Sequence, residues 1–266
     1  MTHKPAFRRP EWIFFDLDDT LWDFASNSLK SLRHVYDSFH QLSDAFATFE
    51  DFADEYHVHN ARMWKDFADG KISSDFIKTE RWRLTLFPEG DPADPPAFCA
   101  ELNTEYLEYL ASLPYPVEGA LETLESLRKD FMIAGLSNGF ADTQYKKLKN
   151  SGLWRYVTRM VVSDETGITK PHRGLFDYAV AETGATGIPV MVGDNPDTDI
   201  LGALRAGWRA IWFNRFSDDG FPYDDARLRE MGIDPALFLG TAHSLPEAAR
   251  MLTPLKDESL PSISGA

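Results

Sequence analysis

Trp12-Ile13-Phe14-Phe15-Asp16-Leu17-Asp18-Asp19-Thr20 starts with four apolar residues and turns acidic within one step. Four consecutive apolar residues are too uniformly hydrophobic for a strand with one face in water. They suit a central strand of a parallel sheet, buried on both faces. A strand ending at Asp16 delivers Asp16 and Asp18 to the carboxyl edge of the sheet, where open α/β sheets bind ligands. Two carboxylates that close repel each other unless a cation or a proton neutralises one. The stretch therefore implies a metal, a shared proton, or both.

The pattern recurs along the chain. Met132-Ile133-Ala134-Gly135-Leu136 runs into Ser137-Asn138-Gly139, and Arg159-Met160-Val161-Val162 into Ser163-Asp164-Glu165. Val190-Met191-Val192-Gly193 runs into Asp194, with Asn195, Asp197 and Asp199 close behind, and Arg209-Ala210-Ile211-Trp212-Phe213 is a fifth strand candidate. Residues 120–127 and 175–183 carry apolar side chains three and four apart, as helices do. Strands alternating with helices predict an α/β fold with a Rossmann-like parallel sheet. A single Asp after a strand is readily explained as a helix N-cap. Hydroxyls and carboxylates repeated after the same kind of strand are not.

These motifs resemble those of the haloacid dehalogenase-like hydrolases, a superfamily of mostly phosphoryl-transfer enzymes. Asp16-x-Asp18-x-Thr20 resembles its nucleophile motif, Ser137-Asn138 the second, Lys170-Pro171 the third, and Gly193-Asp194 with Asp199 the fourth. Ser137-Asn138-Gly139-Phe140, Ser163-Asp164-Glu165-Thr166-Gly167-Ile168-Thr169-Lys170-Pro171, Phe176-Asp177-Tyr178-Ala179 and Met191-Val192-Gly193-Asp194-Asn195 look like the branch of 5′-nucleotidases acting on non-canonical pyrimidine nucleotides.

The resemblance implies a Mg²⁺-dependent phosphomonoester hydrolase acting through an aspartyl-phosphate. Asp16 would be the nucleophile and Asp18 the general acid and base. Mg²⁺ would sit between the Asp16 carboxylate, the Asp18 backbone carbonyl and the Asp194 carboxylate, with Asp199 behind them orienting a water or Lys170. Ser137, the Asn138 backbone N–H and Lys170 would hold the phosphoryl oxygens, and Thr20 would support the nucleophile loop beside the phosphate. The implied substrate is a small phosphorylated metabolite, a nucleoside 5′-monophosphate by the branch. Sugar phosphates, phosphoglycolate or a phosphomutase substrate would use the same core chemistry. A phospho-Asp switch is the non-enzymatic alternative; the long insertion after the first strand opposes it.

Composition agrees. The 266 residues suffice for a large core, and 43% hydrophobic content excludes a disordered chain. A formal net charge of −15 argues against nucleic-acid polymers and anionic membranes as partners. The single cysteine, Cys99, precludes an intrachain disulfide and fits a reducing compartment, so a cytoplasmic location is expected. No stretch approaches the roughly 20 apolar residues of a membrane span. Oligomeric state is not legible.

More than a hundred residues separate the first strand from the next, far more than one crossover needs. The expected division is a core of residues 1–22 and 114–266, a helical cap of residues 23–113, and a polar, flexible tail at 255–266. Within the cap, 28–39, 46–67 and 75–87 read as helices, Asp69-Gly70-Lys71 as a turn with Ser73 or Ser74 capping the helix after it, and 88–96 as a Pro- and acid-rich loop. Aromatic residues crowd these helices, among them Phe52, Tyr56, Trp64, Phe67, Phe76 and Trp82. Such stripes normally form a core, with base stacking as the functional alternative. Asn60, Trp64 and Arg81 are the candidate substrate contacts: the first two are four apart on one face, and Arg81 offers a fork to an anion or carbonyl. His57 and His59, two apart, make a poor metal pair.

Overall fold

The computed structural model describes residues 11–90 and 97–257. Strand β1 (Trp12–Phe15) leads into five helices: α1 (Phe24–Ser38), α2 (His40–Ala45), α3 (Phe49–Ala68), α4 (Ser74–Leu86) and α5 (Ala97–Ser112). Next come α6 (Ala120–Leu127), β2 (Met132–Ser137), α7 (Ala141–Asn150), β3 (Arg159–Val162), α8 (Ser163–Thr166) and α9 (Arg173–Thr183). The chain continues through β4 (Val190–Gly193), α10 (Gly202–Arg205), β5 (Arg209–Phe213), α11 (Asp225–Glu230), β6 (Phe238–Ala242) and α12 (Leu245–Leu252). The strands form one six-stranded parallel sheet in the order β3-β2-β1-β4-β5-β6.

Strand periodicity sorts the apolar residues into two layers. Ile13 and Phe15 point into a core with Ile133, Val192 and Ile211, closed by Leu124 of α6, Leu148 of α7 and Leu245 of α12. Trp12 and Phe14 point the other way, to Leu136, Met191 and Ala210 under Phe176 of α9, Leu204 of α10 and Leu228 of α11. Both faces of β1 are thus covered, as its apolar run predicts. The strand order reverses between β1 and β4, and the Asp16 N–H donates to the Val192 carbonyl at 2.9 Å, so the chain leaves both strands at the crevice where such sheets bind ligands.

The inserted helices stand over that crevice. Two chain segments tether them side by side: the Val117 N–H donates to the Leu21 carbonyl at 2.9 Å, and the Trp22 indole N–H to the Leu113 carbonyl at 3.3 Å. Thr48 caps α3 and Ser73 caps α4, each accepting from a backbone N–H three residues on, and Gly70 adopts the left-handed turn its position predicts. Phe52, Tyr56 and Trp82 are fully buried, packed with Tyr106 of α5, which is the core-forming outcome for those three aromatics.

Several details differ from expectation. Strand β6 escapes notice in the sequence because it is a half-buried edge strand with Gly240 at its centre and an irregular register against β5. The helical reading of residues 46–67 runs too early, since the chain is extended at Phe46 and Thr48 before α3 begins. The tail reading fails at its start: Thr253–Asp257 forms a helical turn and buries Leu255. The rest of that tail, and residues 91–96 of the predicted loop, lie outside the described residues. No helix among the described residues is long and apolar enough to cross a membrane.

Candidate active site

Four strand ends converge on one buried cluster. Lys170, 2% exposed, donates from Nζ to the Asp16 carboxylate at 2.5 Å and the Leu136 carbonyl at 2.7 Å, and pairs with the Asp199 carboxylate at 2.7 Å. Its backbone is clamped by Asn138, whose side chain accepts from the Lys170 N–H at 2.8 Å and donates to the Lys170 carbonyl at 2.9 Å. The Asn138 side chain therefore works as a brace between the second and third motifs. Asp199 returns towards Asp194 because the Asn195 N–H donates to one of its oxygens at 3.1 Å. That return needs Gly193: a Cβ there would lie 2.3 Å from the Asp199 carboxylate oxygen.

Thr20 is fully buried with its hydroxyl turned to Asp194 at 3.4 Å, and it does not line the cavity described below. A direct phosphate contact for Thr20 is therefore not what the structure shows; it steadies an acidic neighbour. Asp19, with φ of 57°, and Asp23 are both gripped by Arg215 from the loop after β5, at 2.7 and 2.6 Å. This bridge ties the turn after the first motif to the far side of the sheet.

Oxygen ligands from Asp16, Asp194 and Asp199 lie within 4.8 Å of one another. Burial pushes the Asp16 carboxyl up to about 7, against the pull of Lys170 and with Asp199 and Asp18 adding to the rise. Burial, then Asp199 and Asp16, hold Asp194 well above the usual carboxylate range. Although burial works against its charge, Lys170 is held above the ordinary lysine range by Asp16 and Asp199. One ammonium cannot neutralise three carboxylates, two of them buried and Asp194 partly so. The donor set, all oxygen and acidic, fits a hard divalent cation. Both Asp199 oxygens are engaged, one by Lys170 and one by the Asn195 N–H, whereas Lys170 and Thr20 take one oxygen each of Asp16 and Asp194, so these two carboxylates keep the other oxygen for a cation.

Helix α7 contributes two residues that the motifs do not mark. Gln144, fully buried, donates from Nε2 to the Ser137 hydroxyl at 2.6 Å and to one Asp18 oxygen at 2.8 Å. Lys147, 3% exposed, donates to the other Asp18 oxygen at 2.6 Å.

Above the cluster is a cavity of about 540 Å³, bounded by Asp16, Asp18, Ser137, Lys170 and Asp194 below and by the inserted helices above. Trp64 and Arg81 line it, with Tyr106, Leu107 and Leu110 of α5. Asn60 is buried but is not among the lining residues, although it shares a helix face with Trp64. Arg81 is 2% exposed, donates to the Asn103 side-chain oxygen at 2.5 Å and leaves Nε without a partner. Its buried neighbour Arg83 is paired with Glu80 at 2.8 Å. Phe140, next after Ser137-Asn138-Gly139, seats in an apolar cluster of the insertion with Met63 and Ile77, its ring 5.3 Å from that of Trp64.

The haloacid dehalogenase-like hydrolase family model matches residues 10–207. The pyrimidine 5′-nucleotidase YjjG of Escherichia coli (strain K12) is 31% identical over 239 residues, covering 89% of this chain and 96% of that protein. The pyrimidine 5′-nucleotidase PynA of Streptococcus pneumoniae is 27% identical over 207 residues, covering 77% of this chain and 84% of that one. Among solved structures, YfnB from Bacillus subtilis bound to magnesium superposes with a TM-score of 0.74 at 26% identity, covering 92% of this chain and 99% of that chain.

Proposed function

The chain belongs to the haloacid dehalogenase-like hydrolases, and from that footing we propose that it is a Mg²⁺-dependent 5′-nucleotidase acting on pyrimidine nucleoside monophosphates. The observation that carries the phosphatase part is Asp18 beside Asp16 on the cavity floor, a second carboxyl placed to exchange protons next to a buried nucleophile. Dehalogenase members of the family lack that acid, as the resemblance has it. The pyrimidine part is supported by the two similar nucleotidases and by a cavity wall with an indole ring and a guanidinium.

In the proposed reaction an Asp16 carboxylate oxygen forms a bond to phosphorus while the bond from phosphorus to the ester oxygen breaks. Asp18 gives its proton to that departing oxygen, and in the second half takes one from the water that attacks the phospho-Asp16. Lys170 and Ser137 meet the phosphoryl oxygens as charge moves between them. Mg²⁺ held by Asp16, Asp194 and, by family resemblance, the Asp18 carbonyl would supply further positive charge beside those oxygens. Asp199, through its ion pair with Lys170 at 2.7 Å, keeps the ammonium aimed at the site.

Three outcomes are expected. Inorganic phosphate should be released from p-nitrophenyl phosphate, with activity lost in EDTA and restored by Mg²⁺; metal-independent turnover, or none on any phosphate ester, removes the proposal. In a panel ranked by kcat/KM, pyrimidine nucleotides should lead. Sugar phosphates ahead of every nucleotide by tenfold, about 1.4 kcal/mol of transition-state preference, would leave only the phosphatase assignment standing. Trp64→Ala should lower kcat/KM for nucleotides by roughly tenfold more than for p-nitrophenyl phosphate, since stacking a base contributes about 1–3 kcal/mol. Equal losses would make Trp64 a packing residue alone.

A further inference from the structure

We propose that Gln144 and Lys147 are positioning residues for the Asp18 carboxyl, and that Gln144 couples it to the Ser137 hydroxyl; this rests on the phosphomonoesterase reading above. The two lie three apart on α7, so both face the crevice from one side of the helix. Each meets a different Asp18 oxygen, at 2.8 and 2.6 Å, which fixes the carboxyl plane as well as its place. Neither is a solvated surface residue: Gln144 is fully buried and Lys147 is 3% exposed. The Lys147 ammonium lies over the rings of Trp22, at 4.5 Å, and Phe24, at 5.3 Å, so its walls are aromatic and Asp18 is the carboxylate it reaches.

The Gln144 amide makes its orientation legible. Nε2 serves two acceptors while Oε1 is buried without a partner. Turning the amide over would set Oε1 against the Asp18 carboxylate, acceptor to acceptor. Gln144 also presses on the second motif: a Cβ on Gly139 would lie 2.2 Å from its Nε2 and 2.5 Å from its Cδ. Gly139 thus leaves room for the Gln144 side chain beside Ser137.

The chemical consequence concerns the first half-reaction. As the phosphorus–oxygen bond breaks and the departing oxygen takes the proton of Asp18, negative charge is left on that carboxyl. Two donors, one on each oxygen, fix the plane of that carboxyl, so the proton is delivered from a set position and not from a rotating group. Their help matters only where the departing oxygen needs a proton.

p-Nitrophenyl phosphate and p-nitrobenzyl phosphate separate the two situations. The first releases a phenolate that is stable without a proton, and the second an alkoxide that is not. Because kcat/KM ends at departure of the alcohol, it excludes the later hydrolysis of the phospho-Asp16. For Gln144→Met and Lys147→Met, the ratio of kcat/KM on the benzyl ester to that on the phenyl ester should fall by about ten- to a hundredfold, part of the roughly 10²–10⁴ that general acid catalysis provides. Gly139→Ala displaces the Gln144 side chain without altering it and should shift the ratio the same way, which decides the matter if Gln144→Met does not fold. An unchanged ratio in folded variants overturns the positioning role. Wild-type protein that hydrolyses neither ester overturns the phosphomonoesterase reading itself, a distinguishable result.

Discussion

Asp16→Asn is expected to lower kcat on every phosphate ester by more than about a hundredfold, with the fold intact. The substitution keeps the side-chain shape and removes the attacking carboxylate oxygen, and with it one of the two carboxylates that keep an oxygen for a metal. The fold should tolerate it because the Asn side-chain oxygen can still accept from Lys170 where Asp16 does at 2.5 Å. Lys170 keeps Asp199 as a counter-ion at 2.7 Å. Phosphate release and thermal unfolding on the same preparation check both halves. Because general acid–base help alone is worth roughly 10²–10⁴, a variant keeping more than about a hundredth of wild-type kcat overturns the covalent route.

Lys170→Met should be the costliest single change to stability in the site. It leaves the Asp16, Asp194 and Asp199 carboxylates gathered within 4.8 Å with no ammonium among them. Removing one partner of a buried ion pair typically costs about 3–5 kcal/mol, a fall in Tm on the order of 10 °C for a chain of this size. The loss should be largest in EDTA and smaller in millimolar Mg²⁺, since any cation that enters the cluster takes over part of the neutralisation. Thermal unfolding with and without Mg²⁺ reads this directly. A Tm in EDTA equal to wild type would show that Lys170 does not balance the carboxylates.

The reacting cluster was legible because its residues stand where apolar strands stop. Asp16, Ser137 and Asp194 each come directly after a run that belongs in a buried parallel strand, so strand reading and site reading were one inference. Gln144 and Lys147 gave no such signal. In Ala141-Asp142-Thr143-Gln144-Tyr145-Lys146-Lys147 they look like any solvated helix, and only the packing of α7 shows that one face is buried. Arg215 was invisible for a similar reason: its partners Asp19 and Asp23 lie almost two hundred positions earlier in the chain. In the insertion, helical spacing put Asn60 and Trp64 on one face, but it could not say where along that face the cavity begins, and it begins past Asn60. Tyr106, Leu107 and Leu110 went unnoticed because α5 comes after an acidic, Pro-rich stretch that hides its start.

The covalent role of Asp16 carries the whole mechanism. A single turnover of p-nitrophenyl phosphate with Mg²⁺, quenched in acid within the turnover time and mapped by peptide mass spectrometry, tests it. The expected result is one phosphoryl group on the peptide that carries Asp16, rising and then decaying as inorganic phosphate appears. Phosphate released at full rate with no phosphorylated Asp16 peptide at any quench time would contradict it.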